Sequence, residues 1–275
     1  MNKKLVITGG NGQLGRSIRD CINRYPNLEG VFIDVETLDL TDANAVKEYF
    51  ESNPCDFMVN CAAYTAVDKA ETDAEAAEAI NVRAVRNIAL AAVKNGFRVI
   101  HISTDYVFDG ESPTPYKETD TTNPQTVYGQ TKLQGERELI RLAPESMVIR
   151  TAWLYSNYGK NFFLTMKAKA LAGEKVRVVA DQRGCPTEAS SLADVILRVI
   201  AEDKWHPGIY HFTGRKEMSW YDFTRDIYRM VGADPELVSA ITTSEFPALA
   251  KRPKYSVLDN TKIRNLLGPT IDFQK

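Results

Sequence analysis

The sequence contains few of the residues that bind metals or form disulfides. It has three histidines and four cysteines in 275 residues. The histidines make no pair at helical metal-ligand spacing, and Cys21, Cys55, Cys61 and Cys185 show no paired spacing. We therefore expect no catalytic metal, no thiolate zinc site and no disulfide framework. This cysteine usage is typical of a reduced, cytoplasmic protein.

The chain also lacks an excess of one charge and any long apolar run. Its formal net charge is −2, which gives no reason to expect nucleic acid or an acidic membrane surface as a partner. No run approaches the roughly 20 apolar residues of a membrane span, and the apolar run near the N-terminus is too short for a signal peptide. The hydrophobic fraction of 44% is enough for a sizeable core. We expect a protein that acts on a small molecule.

Strand-like and helix-like segments alternate through the first 150 residues. Strand-like runs lie at 5–8, 31–34, 56–60, 98–103 and 147–149, and helix-like stretches lie near 13–25, 42–52, 74–95 and 125–143. This alternation predicts an α/β fold with a Rossmann-like, doubly wound parallel sheet. We assign residues 1–150 to a dinucleotide-binding domain, with about 175–204 completing its sheet. Residues 151–174 and 205–275 are assigned to a smaller C-terminal substrate-binding lobe.

A glycine-rich turn follows the first strand-like run. Gly9, Gly12 and Gly15 stand at three-residue intervals, and Gln13 and Leu14 open the helix-like stretch after them. In a dinucleotide site such glycines allow a tight turn, close approach to a pyrophosphate and packing of helix on strand. The alternative is an ordinary loop between a strand and a helix. The position between a strand and a helix favours a cofactor site.

Two residues near this turn favour different cofactors. Asp34 stands 22 residues beyond Gly12, where an acidic side chain would bond the adenosine ribose, although it can also be a turn residue at a strand end. Arg16 could instead attract a 2′-phosphate. The residues alone leave open the choice between NADH and NADPH.

A tyrosine and a lysine stand four residues apart at the start of a later helix. Tyr128 and Lys132 would share one helix face, where the ammonium can lower the phenol pKa and the phenol can protonate a carbonyl. Thr104 ends the fourth strand-like run, so its hydroxyl can bond the same carbonyl. Gly129 suggests a close approach at the helix start. The alternatives are a surface Tyr/Lys pair and a strand threonine bonded to backbone.

Seven segments carry a resemblance to a known family over nearly the whole chain. They are residues 8–15, 38–42, 59–71, 103–110, 127–132, 150–155 and 181–187. In these segments the chain resembles the extended short-chain dehydrogenase/reductases and, within them, the dTDP-4-dehydrorhamnose reductase family. The resemblance implies NADPH-dependent reduction of the C4 ketone of dTDP-4-dehydro-L-rhamnose to dTDP-L-rhamnose, with NADH as a possible substitute. It also implies a monomer or homodimer.

The resemblance assigns roles to particular residues. The implied catalytic set is Thr104, Tyr128 and Lys132, with Tyr128 as proton donor and Lys132 also on the nicotinamide ribose. The other implied cofactor residues are Asp39 and Leu40 by the adenine, and Ala62, Ala63 and Tyr64 along the diphosphate and ribose. The residues implied near the sugar are Thr65, Val67, Tyr106 and Trp153.

Three positions of the second half have more than one interpretation. Trp153 follows a strand end, where an indole gives a flat apolar wall for a deoxysugar, but it can equally be a core residue. Arg252 could meet a nucleotide phosphate, and we favour a solvated arginine there. Some relatives bridge a dimer with magnesium; Glu188 is available for this, but the residues after it are not acidic, so we expect no metal site.

Three alternative functions share parts of this pattern. A sugar-nucleotide dehydratase would have a glutamate after the Thr-Asp pair, where this chain has Tyr106, which cannot act as the base. A non-catalytic regulatory subunit, resembling the β subunit of methionine adenosyltransferase, would share the cofactor turn without turnover. A reductase of another nucleotide keto-sugar would use the same catalytic residues.

Overall fold

The structure is a computed structural model that describes residues 2–268. In chain order its strands are β1 (Lys3–Thr8), β2 (Leu28–Phe32), β3 (Phe57–Asn60), β4 (Arg98–Thr104), β5 (Met147–Thr151), β6 (Leu154–Tyr155), β7 (Val176–Val179), β8 (Arg183–Gly184), β9 (Thr187–Glu188), β10 (Gly208–His211), β11 (Met218–Ser219) and β12 (Val238–Ile241). Its helices are α1 (Gln13–Cys21), α2 (Ala43–Ser52), α3 (Val67–Ala70), α4 (Ala74–Glu78), α5 (Ala84–Asn95), α6 (Val127–Leu142), α7 (Phe162–Leu171), α8 (Ala189–Ala201), α9 (Trp220–Met230) and α10 (Thr261–Leu267).

Six strands of the described residues form one parallel sheet in the order β10-β5-β4-β3-β1-β2. Side chains of each strand alternate between the two faces of the sheet. Leu5 and Ile7 belong to the core beneath α1 and α8, whereas Val6 belongs to the core beneath α2, α5 and α6. Helices thus cover both faces, and the predicted α/β doubly wound fold is confirmed.

The edge strand of this sheet corrects one expectation. Residues 175–204 were expected to complete the sheet, but their strand β7 pairs with β12 in a separate parallel pair. The strand that pairs with β5 is β10, which lies in the segment assigned to the lobe. Helix α8 does belong with the sheet, because Ile196 is fully buried in the core that it shares with α1. The remaining domain boundaries stay a prediction, and residues 269–275 lie outside the described range.

Two element boundaries differ from the sequence-based expectation. The second strand ends at Phe32, so Asp34 lies in the loop beyond it. The expected helix over 74–95 consists of α4 and α5 joined by a π-helical turn at Ala79–Arg83. Its end is as predicted, because Gly96 adopts a left-handed conformation with φ of 76° and caps the helix.

Smaller apolar clusters join α7 and α9 to β7 and β12 beyond the ends of the sheet. Tyr228 of α9 is fully buried among Ala170, Val178 and Val238, and Phe223 packs near Phe163. These contacts form one wall beside the carboxyl ends of the central strands. Of the helices in residues 2–268, none is long and apolar enough to cross a membrane.

Candidate active site

A cleft of about 1410 Å³ opens at the carboxyl ends of the central strands. Ligands of open parallel sheets bind at this end, because the loops that leave the strands converge there. Most of the residues selected from the sequence line it, namely Gly9, Gly12, Gln13, Leu14, Asp34, Asp39, Leu40, Ala62, Ala63, Thr65, Val67, Thr104, Tyr106, Tyr128, Lys132 and Trp153.

Two residues selected for the cofactor site are absent from the described lining of the cleft. A Cβ atom on Gly15 would collide with the carbonyl oxygen of Gly9, so Gly15 serves the close packing of α1 on the turn. The Tyr64 hydroxyl donates to Asp73 Oδ2 at 3.3 Å, and the Tyr64 amide donates to Asn81 Oδ1 at 3.0 Å. These bonds hold Tyr64 to Asp73, just before α4, and to Asn81.

The glycine turn has room for backbone and none for side chains. Gly9 has φ of 60°, and a Cβ atom there would lie 2.9 Å from the amide nitrogen of Ala62. Gly12 precedes α1 and supplies no side-chain cap, so the first amides of α1 remain available at the cleft. This construction fits the pyrophosphate of a dinucleotide, which needs close approach to backbone amides.

Asp34 and Arg16 occupy different surroundings. Asp34 Oδ2 accepts from the amide of Asn11 at 2.9 Å, and its Oδ1 accepts from the amide of Val35 at 2.9 Å. The Arg16 guanidinium lies 4.5 Å from the ring centroid of Tyr158. The structure therefore brings Asp34 to the cleft wall and leaves Arg16 stacked on an aromatic ring.

Thr104 and Asp105 lie buried where β4 ends. The Thr104 hydroxyl donates to Asp105 Oδ1 at 2.9 Å and accepts from the Tyr106 amide at 3.2 Å. It thus caps the short turn after β4 as well as lining the cleft. Burial raises the pKa of Asp105 to about 6, although the hydrogen bond from Thr104 lowers it.

Tyr128 is fixed by the start of α6. Thr126 caps this helix by accepting from the Gly129 amide at 3.0 Å. A Cβ atom on Gly129 would collide with the carbonyl oxygen of Tyr106, so the close approach expected at this glycine is confirmed. The Tyr106 ring lies edge-on to Tyr128, with 5.5 Å between centroids. Tyr128 is therefore held against the end of β4.

The pKa of Tyr128 differs from the expectation. Burial raises it above the ordinary range of a phenol, and this outweighs the hydrogen bond with Thr104, which lowers it. The lowering expected from the Lys132 ammonium does not offset this burial, and the ammonium itself donates to the carbonyl oxygen of Ile102 at 2.6 Å. The phenol consequently keeps its proton at neutral pH, which suits a proton donor.

Lys132 lies one helical turn after Tyr128, and both side chains line the cleft, as the i, i+4 spacing predicts. The lysine is 1% exposed. Burial lowers its pKa to about 8, while the nearby Glu136 carboxylate raises it. Lys132 is thus mostly charged at neutral pH but is close to losing that charge.

A buried ion pair between α6 and β5 could not be predicted from the sequence. Arg150 of β5 binds Glu136 of α6 through two hydrogen bonds of 2.9 and 2.7 Å, and Ser103 also donates to Glu136. Both charged side chains are at most 2% exposed. No spacing rule links residues on a helix and a strand. The same holds for the buried Asn60 and His101, which appear in the sequence only as polar residues in apolar strands.

Trp153 lies on the cleft wall in a strained backbone conformation. Its φ is 51°, and its indole stacks on that of Trp220 with centroids 3.5 Å apart and an interplanar angle of 7°. Gly184 lies so close that a Cβ atom there would collide with the Trp153 ring. Trp220, which also lines the cleft, was missed because 67 residues separate it from its partner in the sequence.

Arg252 is another correction. It was expected to be solvated, but it lines the cleft, pairs with the Asp68 carboxylate and donates to the Tyr106 hydroxyl at 3.2 Å. A carboxylate from α3, distant in the sequence, supplies the partner.

For metals, residues 2–268 contain no group of three or more His, Cys, Asp or Glu side chains that could hold one, and Glu188 ends β9 half-buried.

The fold and the site together define a class of protein. The parallel sheet has a glycine turn after its first strand, and a threonine, a tyrosine and a lysine line the same cleft. These features define a dinucleotide-dependent oxidoreductase of the short-chain dehydrogenase/reductase type. The chain belongs to the family described as RmlD substrate binding domain, whose model matches residues 3–275. The family resemblance found from the sequence is confirmed.

Three relatives illustrate the similarity. The dTDP-4-dehydrorhamnose reductase of Aggregatibacter actinomycetemcomitans is 42% identical and is matched over 96% of this chain and 93% of its own length. A probable dTDP-4,6-dihydroxy-2-methyloxan-3-one 4-ketoreductase of Streptomyces antibioticus is 40% identical and is matched over 98% of this chain and 91% of its own length. The structure of Bacillus anthracis dTDP-4-dehydrorhamnose reductase in complex with NADP superimposes with a TM-score of 0.92, at 35% identity over 96% and 93% of the two chains.

Proposed function

We propose that this enzyme uses NADPH to reduce the C4 ketone of dTDP-4-dehydro-L-rhamnose to dTDP-L-rhamnose, within dTDP-rhamnose biosynthesis. The observation that carries the proposal is the meeting of Thr104, Tyr128 and Lys132 in the cleft that the glycine turn also lines. The names of the reductase relatives supply the substrate. The catalytic roles below extend that geometry.

The reaction adds a hydride and a proton to a carbonyl group. A reduced nicotinamide, when bound, supplies the hydride to C4. Tyr128 donates its phenol proton to the ketone oxygen as the C–H bond forms, and it afterwards regains a proton from solvent. Thr104 donates a hydrogen bond to the same oxygen in exchange for its bond to Asp105. A phenol is protonated at neutral pH, so Tyr128 enters the reaction with its transferable proton in place.

The cofactor would extend along the cleft from the glycine turn to Lys132. Residues 9–15 would hold its diphosphate, and Lys132 would hold the nicotinamide ribose. The adenine end would lie by Asp39 and Leu40, and the segment after β3 would supply Ala62 and Ala63. On the substrate side, the residues proposed to contact the sugar are Thr65, Val67, Tyr106 and Trp153, all of which line the cleft.

NADPH is the proposed cofactor and NADH the alternative. The Bacillus anthracis relative binds NADP. The two amide donors to Asp34 weaken the field of its carboxylate on a nearby phosphate. The same carboxylate could still accept from the ribose hydroxyl of NADH. Comparing kcat/KM for the two cofactors measures this choice directly.

One alternative substrate has support, and one alternative role does not. The Streptomyces antibioticus relative is named for a different dTDP-linked keto-sugar, which favours testing a second nucleotide keto-sugar. A regulatory subunit would bind cofactor without turnover; the complete set of Thr104, Tyr128 and Lys132 argues against it.

We further propose that the protein acts in the cytoplasm as a monomer or homodimer, without nucleic-acid or membrane partners.

The testing experiment follows the loss of reduced-nicotinamide absorbance, with NADPH and NADH separately. Freshly generated dTDP-4-dehydro-L-rhamnose is the substrate, and dTDP-L-rhamnose is identified as the product. Consumption of cofactor that requires the sugar supports the proposal. Tight cofactor binding without consumption, for this sugar and for a second keto-sugar, would favour the regulatory role.

A further inference from the structure

A chain of four buried polar side chains crosses the sheet beneath the cleft. It runs from Thr8 of β1 through Asn60 of β3 and His101 of β4 to Lys132 of α6. Thr8 Oγ1 lies 2.7 Å from Asn60 Oδ1, Asn60 Nδ2 lies 3.0 Å from His101 Nδ1, and His101 Nε2 lies 3.3 Å from Lys132 Nζ. Each of the four residues is at most 2% exposed. The mechanism above uses the lysine and leaves His101 without a role.

We propose that His101, oriented by Asn60 and Thr8, is a positioning residue that accepts a hydrogen bond from the Lys132 ammonium and keeps that ammonium charged and in place. Its catalytic consequence rests on the proposed reductase function. The contact itself can be tested without turnover.

The donors and acceptors of the chain restrict its arrangements. An ammonium only donates, so a charged Lys132 requires an unprotonated Nε2 on His101. The His101 proton then sits on Nδ1 and needs the amide oxygen of Asn60 as acceptor, while the amide nitrogen donates to Thr8 Oγ1. The structure has the opposite orientation, in which Thr8 donates to Asn60 Oδ1 and the Asn60 amide nitrogen faces His101 Nδ1. That orientation places the histidine proton on Nε2 and fits a neutral Lys132, so the proposal requires the Asn60 amide to be turned. A half-turn of the Asn60 amide interconverts the two arrangements.

His101 can be such an acceptor because it stays uncharged. Burial and the neighbouring Lys132 hold the pKa of His101 well below its ordinary range. The other titratable groups that influence Lys132 are Glu136 on its own helix and Cys61 after β3, with Tyr128 one turn away. Burial raises the pKa of the Cys61 thiol, which is therefore neutral near pH 7. His101 is thus a neutral imidazole acceptor on the strand side of the lysine.

The kinetic test compares two amide variants. H101Q places an amide near the position of Nε2 and can still accept from Lys132, whereas H101N reaches only the position of Nδ1 and keeps the contact with Asn60. For H101N we expect the alkaline limb of the kcat profile to move down by about one pH unit, because the charged lysine loses an acceptor. We also expect a higher KM for NADPH. H101Q should keep the wild-type limb, and thermal unfolding checks that both variants fold.

A purely structural role for His101 would impair both variants without moving the alkaline limb. That result, or equal shifts in H101Q and H101N, would overturn the proposal. The comparison has meaning only for an enzyme that turns over, so a second measurement decides the contact independently.

The second test is nitrogen NMR of protein labelled with ¹⁵N-histidine. The chain has three histidines, and the His101 signals are those lost in H101Q. Below pH 7 we expect His101 to be neutral, protonated on Nδ1 and bare on Nε2, and we expect K132M to change this pattern. A proton on Nε2 below pH 7 would overturn the proposal, even if the enzyme proves active. If instead turnover is absent and Nε2 is bare, the reductase function fails while the contact stands.

Discussion

At the residue scale, burial decides which groups of the cleft carry protons. It raises the pKa of Tyr128 above its usual range, lowers that of Lys132 to about 8 and raises that of Asp105 to about 6. Near pH 7 the phenol is therefore protonated, the lysine is mostly charged and the aspartate is mostly ionised. This combination suits donation of a proton from Tyr128 beside a cationic Lys132.

The raised pKa of Asp105 predicts a pH-dependent effect on stability. A carboxyl whose pKa is higher in the folded state destabilises the fold once it ionises, so the cost is absent below about pH 4 and complete above about pH 6. Asp105→Asn removes this ionisation. We expect it to raise the free energy of unfolding by about 2–3 kcal/mol at pH 8 and to change it little at pH 4. Urea unfolding at the two pH values measures this; an equal difference at both would contradict the assignment.

A second residue-scale prediction concerns the contact of Gly184 with Trp153. In Gly184→Ala the new methyl group would collide with the Trp153 indole, whose position is also fixed by its stacking on Trp220. We expect KM for the nucleotide sugar to rise by about tenfold, which is about 1.4 kcal/mol of lost binding. The dissociation constant of NADPH, measured by fluorescence titration, serves as the control and should not change. Impaired cofactor binding with an unchanged sugar KM would contradict the placement of Trp153.

The candidate catalytic residues could be predicted because their relation is local or ordered along the chain. Tyr128 and Lys132 follow helical spacing, and Thr104 ends a strand that precedes them. Trp220 and His101 could not be predicted, because their partners are distant in the sequence and no periodicity links them. The expectation that Arg252 is solvated was wrong for the same reason, because its partner Asp68 lies far from it in the sequence.

At the element scale, the position of α6 is set by contacts on several sides. Its first turn approaches the end of β4 through Gly129, and a Cβ atom on Gly135 would collide with the carbonyl oxygen of Asn81. The buried pair of Glu136 and Arg150 joins the helix to β5. These contacts fix the helix that carries Tyr128 against the sheet.

The buried ion pair leads to an element-scale prediction. Glu136→Gln leaves the Arg150 guanidinium buried without a carboxylate, and we expect a loss of about 3–5 kcal/mol in the free energy of unfolding. Arg150→Met should cost a similar amount. The double variant with Glu136→Leu and Arg150→Met should lose much less than the sum, because it leaves no unpaired charge. Urea unfolding of the three variants measures this coupling, and strictly additive losses would show that Glu136 and Arg150 contribute to stability independently of each other.

The helix expected over 74–95 shows what periodicity leaves out. Its apolar spacing predicted the helical segment and its stop at Gly96. The π-helical turn at Ala79–Arg83 places Asn81 so that its amide binds both backbone groups of Tyr64 and the Thr131 hydroxyl. An extra residue in one helical turn changes the direction of side chains without changing the composition, so the π-helical turn could not be predicted from periodicity.

At the scale of the whole molecule, the chain leaves the sheet and returns to it more than once. After β5 it forms β6, α7 and β7 beside the cleft, returns as α8 and β10, and leaves again for α9 and β12. The alternation of the first 150 residues predicted five strands of the sheet. It could not predict the sixth, because β7 and β10 are both runs of only four residues and only tertiary contacts decide which one joins β5.

Tyr128 is the residue that we propose to protonate the ketone of a nucleotide sugar in this cleft. The most direct measurement compares Tyr128→Phe with the wild-type enzyme, following NADPH consumption with dTDP-4-dehydro-L-rhamnose and NADPH binding by fluorescence. We predict a loss of kcat of about 10²–10⁴-fold with nearly unchanged cofactor affinity, because the variant lacks only the acidic hydroxyl. Unchanged turnover in Tyr128→Phe would contradict the claim.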